Sequence, residues 1–136
     1  MTDLQAFALR LLHCWNAHDV EGAAAFYADD YEGFDVGQAR SQHGPRQRVA
    51  VLMAYMRAFP DLYFTGEALA QDDRVALFWT MRGTHQGTFM RIPPTGRSVE
   101  VQGVSLLTVS EGKVVRGLSI WDTAGLLRQL GLLPEL

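Results

Sequence analysis

Helices first and a mostly antiparallel sheet afterwards, an α+β fold, is what the order of hydrophobic periods in this chain predicts. Up to Phe59 the apolar residues recur at helical spacing, and from Leu62 onward they alternate with a period of two. The pairs Asp72-Asp73 and Glu111-Gly112 sit between alternating runs and have the length of two-residue hairpin turns.

The elements follow in order. Thr2 with Gln5 fits a capping box, and Leu4, Phe7, Ala8, Leu11, Trp15 and His18 then fall on one helical face. Asp19 can cap a second, short helix through Glu21–Tyr27, which stops near Asp29-Asp30 and forms a hairpin with the first. Residues 31–36 read as a short strand and 37–44 as a polar loop. Pro45 is a favoured first helical residue, so the third helix runs from Pro45 to Phe59 with Val49, Leu52, Met53, Met56 and Phe59 as its apolar stripe. Pro60 stops it. Strands are then expected at 67–71, 74–82, 99–110 and 113–122, with the turn-rich segment Arg91–Arg97 between the second and third.

The 136 residues carry no internal repeat or linker and fit one domain, with 48% apolar and 20% charged residues. Twelve basic against 15 acidic residues leave no surplus to follow a phosphate backbone, so nucleic acid is not an expected partner. A single cysteine, Cys14, excludes an intramolecular disulfide, and no spacing among the four histidines resembles a metal motif. The start has no basic segment followed by an apolar stretch, and no apolar run reaches membrane-spanning length. A cytoplasmic protein without a membrane partner is expected.

Asp122 is the first candidate for chemistry. It stands where the run Leu118-Ser119-Ile120-Trp121 ends and a leucine-rich tail begins, and an unpaired carboxylate is costly to bury there. Counted from a regular Glu111-Gly112 turn, Val109 faces Val114, and Ser105, Gly103 and Val101 face Leu118, Ile120 and Asp122. A bulge would shift that count. In this register the small residues leave space beside Asp122. Two readings stand: an N-cap for the following helix, or a pocket carboxylate acting as a base.

His85 is in phase with Val75, Leu77, Trp79 and Met81, so one strand face carries apolar bulk and an imidazole. A lone histidine there is more often a hydrogen-bonded structural group. His43, in the polar loop, reads as solvated. The outer sheet face would carry Val104, Leu106, Val115 and Trp121, which is too apolar to be wholly solvated, so the C-terminal tail or a second subunit should cover it. A homodimer is expected.

Gly83-Thr84-His85-Gln86-Gly87, Ile92-Pro93-Pro94-Thr95-Gly96-Arg97, Glu111-Gly112-Lys113-Val114 and Asp122 with Leu126-Leu127-Arg128-Gln129-Leu130-Gly131 occur in an order that resembles the SnoaL-like polyketide cyclase family. Phe59-Pro60-Asp61-Leu62 and Trp15-Asn16-Ala17-His18-Asp19 are weaker matches upstream. The resemblance implies an NTF2-like cone, with N-terminal helices packed on a curved sheet around a pocket. It also implies intramolecular aldol ring closure of a hydrophobic polycarbonyl molecule with no metal or organic cofactor. By position in the motifs, Asp122 would be the acid/base and His85 its catalytic companion. Trp79, Met81, Leu77, Tyr55, Phe59 and Ile120 would enclose the substrate, joined by Trp15 and His43 from the family's variable region. Two alternatives share the same pocket: a non-catalytic carrier of a hydrophobic ligand, and another reaction of this fold such as isomerisation, hydration or cofactor-independent hydroxylation.

Overall fold

The computed structural model describes residues 2–135. Helices α1 (Asp3–Asn16) and α2 (Val20–Ala24) are followed by strands β1 (Tyr27–Asp35) and β2 (Gln42–His43) and then by helix α3 (Gly44–Ala58). Strands β3 (Tyr63–Gln71), β4 (Arg74–Thr84), β5 (Ser98–Ser110) and β6 (Lys113–Trp121) follow, and α4 (Thr123–Gln129) closes the chain. One unclosed, curved six-stranded sheet in the order β2-β1-β6-β5-β4-β3 carries the helices on one face. All neighbours are antiparallel except β1 and β6, which run parallel. No helix among the described residues is long and apolar enough to cross a membrane.

The expected caps are in place. Thr2 Oγ1 accepts the Gln5 N–H at 3.1 Å while Gln5 Oε1 accepts the Thr2 N–H at 2.7 Å, and Asp19 accepts from Gly22 at 2.9 Å. The second helix is shorter than expected. It ends at Ala24, and Tyr27 already begins β1, because the aromatic pair Tyr27 and Tyr31 packs edge to face at 4.8 Å inside the sheet. Within α3, Met53 points outward, and the inward stripe instead runs through Arg48, Leu52, Tyr55 and Phe59.

Side-chain amides cover backbone groups that the ladder leaves free. At the edge strand β3, Asn16 accepts from the Phe64 N–H and donates to the Phe64 carbonyl, and Gln5 donates to the Ala68 carbonyl. Where β6 ends short of the start of β5, Gln129 binds both the N–H and the carbonyl of Glu100. That contact docks α4, and Leu126 and Leu130 are buried beneath it.

The register expected for the last hairpin holds only at its tip. Glu111 and Gly112 both have positive φ, as a twisted two-residue turn requires, and Val109 faces Val114. Val115 is then absorbed in a β-bulge, so Thr108 faces Arg116, Ser105 faces Ser119 and Gly103 faces Trp121. Ser119 and Trp121 therefore point to the helix side. Leu118 and Ile120 point away from it, on the same face as Phe34, Phe78, Val104 and Leu106.

Candidate active site

Between the sheet and the helices lies a mainly apolar cavity of about 40 Å³, room for no more than a few waters. Helix α3 contributes Arg48, Leu52, Tyr55 and Phe59, and α1 contributes Trp15. The sheet supplies Asp35, Phe64, Trp79, Met81, Val101, Ser105, Ser119 and Trp121. Phe89 and Leu126 complete the wall. Phe89 is held there by a tight turn, Phe89 to Ile92, whose two central residues Met90 and Arg91 both have positive φ.

Asp35 is the cavity's carboxylate. Alternation along β1 turns it inward with Tyr31 while Glu32 and Phe34 turn outward, and it is 4% exposed. Its Oδ2 accepts the Tyr55 hydroxyl at 2.6 Å, and its Oδ1 accepts the Trp121 indole N–H and the Gly37 N–H, each at 2.8 Å. Burial, reinforced by the neighbouring Asp35 carboxylate, pushes the Tyr55 hydroxyl far above the ordinary tyrosine range. Tyr55 is thus a fixed donor at neutral pH. A second polar chain crosses the sheet: Trp79 donates to Ser105 Oγ at 3.1 Å, and Ser105 shares a proton with Ser119 at 2.8 Å. Glycines make the space for both indoles. A Cβ on Gly37 would lie 2.3 Å from the Trp121 ring, and one on Gly103 would lie 2.4 Å from the Trp79 ring.

Arg48 occupies another part of the wall. Its guanidinium carbon lies 5.7 Å from the ring centres of both Trp15 and Tyr27, and its Nε donates to the Tyr27 hydroxyl at 3.2 Å. Burial works against its charge, but Tyr27, Tyr31 and Asp35 outweigh that and keep it protonated.

Of the expected site residues, the structure brings Trp15, Tyr55, Phe59, Trp79 and Met81 to this cavity. Leu77 is fully buried in the core and does not line it. Ile120 is 49% exposed on the opposite sheet face, a consequence of the bulge at Val115. His43 is exposed before α3, with Nε2 3.2 Å from Ser41 Oγ. His85 is fully buried behind the cavity wall, against Phe59 at 5.5 Å. Its Nδ1 accepts the Thr95 N–H at 3.2 Å, and its backbone binds Arg97 and Gly96, so it anchors the 93–97 loop.

Asp122 is exposed and does not line the cavity; its pairing with Val101 is replaced by a bond from its N–H to the Gln102 carbonyl. Its Oδ1 accepts the Gly125 N–H at 2.8 Å, which is the geometry of an N-cap for α4.

Asp35, Arg48, Ser119 and Trp121 were not among the expected site residues. For Asp35 the signal is the alternation Tyr31, Gly33, Asp35, which lies within the strand expected at 31–36 and puts the carboxylate on one face with Tyr31. Arg48 and Tyr55 sit at i and i+7 on the inward face of α3, a stripe masked by the polarity of Arg48.

The chain is similar to known proteins over nearly its whole length. A model of the SnoaL-like polyketide cyclase family matches residues 5–130, and no curated protein matches the chain. AclR, described as a hydroxylase by proposal, from Streptomyces galilaeus, is 32% identical over 96% of this chain and 86% of its own, with a TM-score of 0.85. IdmH of Streptomyces antibioticus, a proposed polyketide cyclase, is 25% identical over 96% and 99% of the two chains, with a TM-score of 0.83. A Catenulispora acidiphila protein with a ketosteroid isomerase-like fold shares 15% identity over 93% of each chain at a TM-score of 0.78, a likeness of fold alone. The architecture is that NTF2-like α+β fold, as the sequence motifs implied. With the family model spanning nearly the whole chain, the protein belongs to the SnoaL-like polyketide cyclase family.

Proposed function

We propose that the protein is an acid/base enzyme that closes a ring in a hydrophobic polycarbonyl molecule, with Asp35 as the group that moves the proton. The observation that carries this reading is the setting of Asp35: a buried carboxylate on the wall of an otherwise apolar cavity, held from three sides by Tyr55, Trp121 and Gly37. A carboxylate has about four lone-pair sites, so three donors orient it and leave one site to take a proton. Asp35 removes a proton from a carbon between two carbonyls, the enolate carbon attacks a carbonyl further along the same molecule, and Asp35 returns the proton to the new alkoxide. The cavity's main contribution is to hold the two carbons together out of water. A ring-bearing substrate needs more room than the present cavity has, and the Phe89 turn, whose isolated bridge joins Phe89 to Ile92 within the turn and not to the sheet, is the wall segment we expect to move.

Turnover of a polycarbonyl ester by Asp35→Asn tests the assignment. Loss of about 10²–10⁴ in kcat is expected, with binding retained. Equal turnover by wild type and Asp35→Asn would discard it, and binding without conversion by wild type would leave a carrier.

Likeness to AclR favours a second reading, in which molecular oxygen traps the same carbanion. A hydroperoxide product heavier by two oxygen atoms, both labelled when the reaction is run under heavy-isotope oxygen, would replace the first reading with this one.

We also propose a homodimer. Phe34, Phe78, Leu118 and Ile120 are exposed together on the outer sheet face, rimmed by Glu32, Glu67, Arg74 and Arg116. An apolar centre with both charge signs at its edge suits a second copy of the same face.

A further inference from the structure

All three tryptophans of the chain line the cavity, and their indole N–H groups are treated differently. Trp79 donates to Ser105 and Trp121 donates to Asp35. Trp15, 3% exposed, has its Nε1 buried with no acceptor among the described residues. Stacked near the Trp15 ring is Arg48, also on the cavity wall, whose one hydrogen bond runs from Nε to Tyr27. Its two terminal nitrogens donate to no group among the described residues, and neither ion pair there, Arg46–Glu21 or Arg82–Glu100, includes it. The Asp35 carboxylate shares the cavity and helps hold Arg48 in its charged form, but among the described residues it makes no hydrogen bond or ion pair with Arg48.

One region of the cavity therefore carries donors and a positive charge with no acceptor to receive them. A buried donor without an acceptor is costly, and the half-buried Arg48 guanidinium beside it has N–H groups to spare, so one incoming acceptor could be met by both. We propose that Arg48 and the Trp15 N–H form a receptor for an anionic oxygen of the ligand, a carboxylate or an acidic enolate, so that the natural substrate is an aromatic or polycarbonyl acid and not a neutral molecule. The inference deepens the ring-closure reading by naming the charge of its substrate. A planar guanidinium suits this task because it presents paired N–H groups to the two oxygens of a carboxylate. Anchored there, the ligand's apolar body would lie along Leu52, Phe64 and Trp79 and face Asp35.

Calorimetric titration with 2-naphthoate and its neutral isostere 2-naphthamide at neutral pH tests the proposal without any chemistry taking place. Wild type should bind the acid at least about ten-fold more tightly than the amide. Arg48→Met should lose that preference, and Arg48→Lys, which keeps the charge without the fork, should retain part of it. An amide bound as tightly as the acid by wild type, no binding of either, or a preference intact in Arg48→Met would each overturn the proposal. If Arg48→Met does not fold, the wild-type comparison and Arg48→Lys still decide. The outcome is separable from the role of Asp35: Asp35→Asn should keep the acid preference whether or not Asp35 proves to move a proton.

Discussion

The Tyr55 hydroxyl meets Asp35 Oδ2 at 2.6 Å and so ties the middle of α3 to the end of β1 across the cavity wall. One oxygen of the carboxylate is thereby aimed from the helix, the other from the sheet by Trp121. Tyr55→Phe keeps the ring, which packs against Phe89 and Trp121, and removes only the hydroxyl. The expected loss is about 1.5–3 kcal/mol of unfolding free energy, the range for hydrogen bonds to charged groups. Turnover should fall by less than in Asp35→Asn. Denaturant unfolding together with steady-state kinetics checks both expectations, and unchanged values in each would show the contact to be idle.

Asp122 gives a contrasting expectation. Removing the cap with Asp122→Ala should cost about 1 kcal/mol, whereas Asp122→Asn, an equally good cap, should be close to wild type. Neither change should alter ligand affinity, because the side chain is exposed outside the cavity. Urea midpoints and a binding titration of the two variants are the measurements. A large kinetic loss in Asp122→Asn with stability unchanged would return the acid/base role to this residue.

Asp61 accepts the Thr84 N–H and hydroxyl, both at 2.7 Å, and these bonds hold its carboxyl below the ordinary range. A carboxyl with a depressed folded value stabilises the fold above its unfolded value, and loses that contribution as pH falls through the folded one. The stability gap between wild type and Asp61→Asn should therefore be present at neutral pH and close progressively below about pH 4. Asp61 is exposed, so the gap should stay under about 1 kcal/mol. Urea titrations at neutral and acid pH read it directly, and a gap that widens on acidification would contradict the sign.

Ile120→Lys places a charge within the exposed apolar face without touching the cavity. Sedimentation equilibrium at micromolar concentration should find wild type dimeric and this variant monomeric. A monomeric wild type would remove the proposed interface.

Much of the fold was legible because its signals are local. Thr2 with Gln5, Asp19, and Glu111-Gly112 each act within four residues, and each does in the structure what its spacing predicted. The site was less legible because it depends on distant choices. Asp35 becomes a cavity group only when β1 pairs with β6 and α3 brings Tyr55 to it, and no short pattern encodes that meeting. Asp122 looked like the more conspicuous carboxylate because it follows an apolar run. The same position is where a helix needs a cap, and cap chemistry is what the geometry of Gly125 records. Trp121 was assigned to the outer face by a regular count that the bulge interrupts.

That interruption divides β6 into two stretches of opposite parity. Residues up to Val114 keep time with the hairpin, while those from Arg116 to Trp121 keep time with the entry into α4. Losing Val115 would leave every later pair with β5 unchanged, so a one-residue gap there is silent to the cavity. The same gap a few positions on would turn Ser119 and Trp121 out to solvent, bring Leu118 and Ile120 in, and take from Asp35 one of its three donors. Length variation along this strand is therefore tolerable at a single point, and that point lies at the end remote from the chemistry.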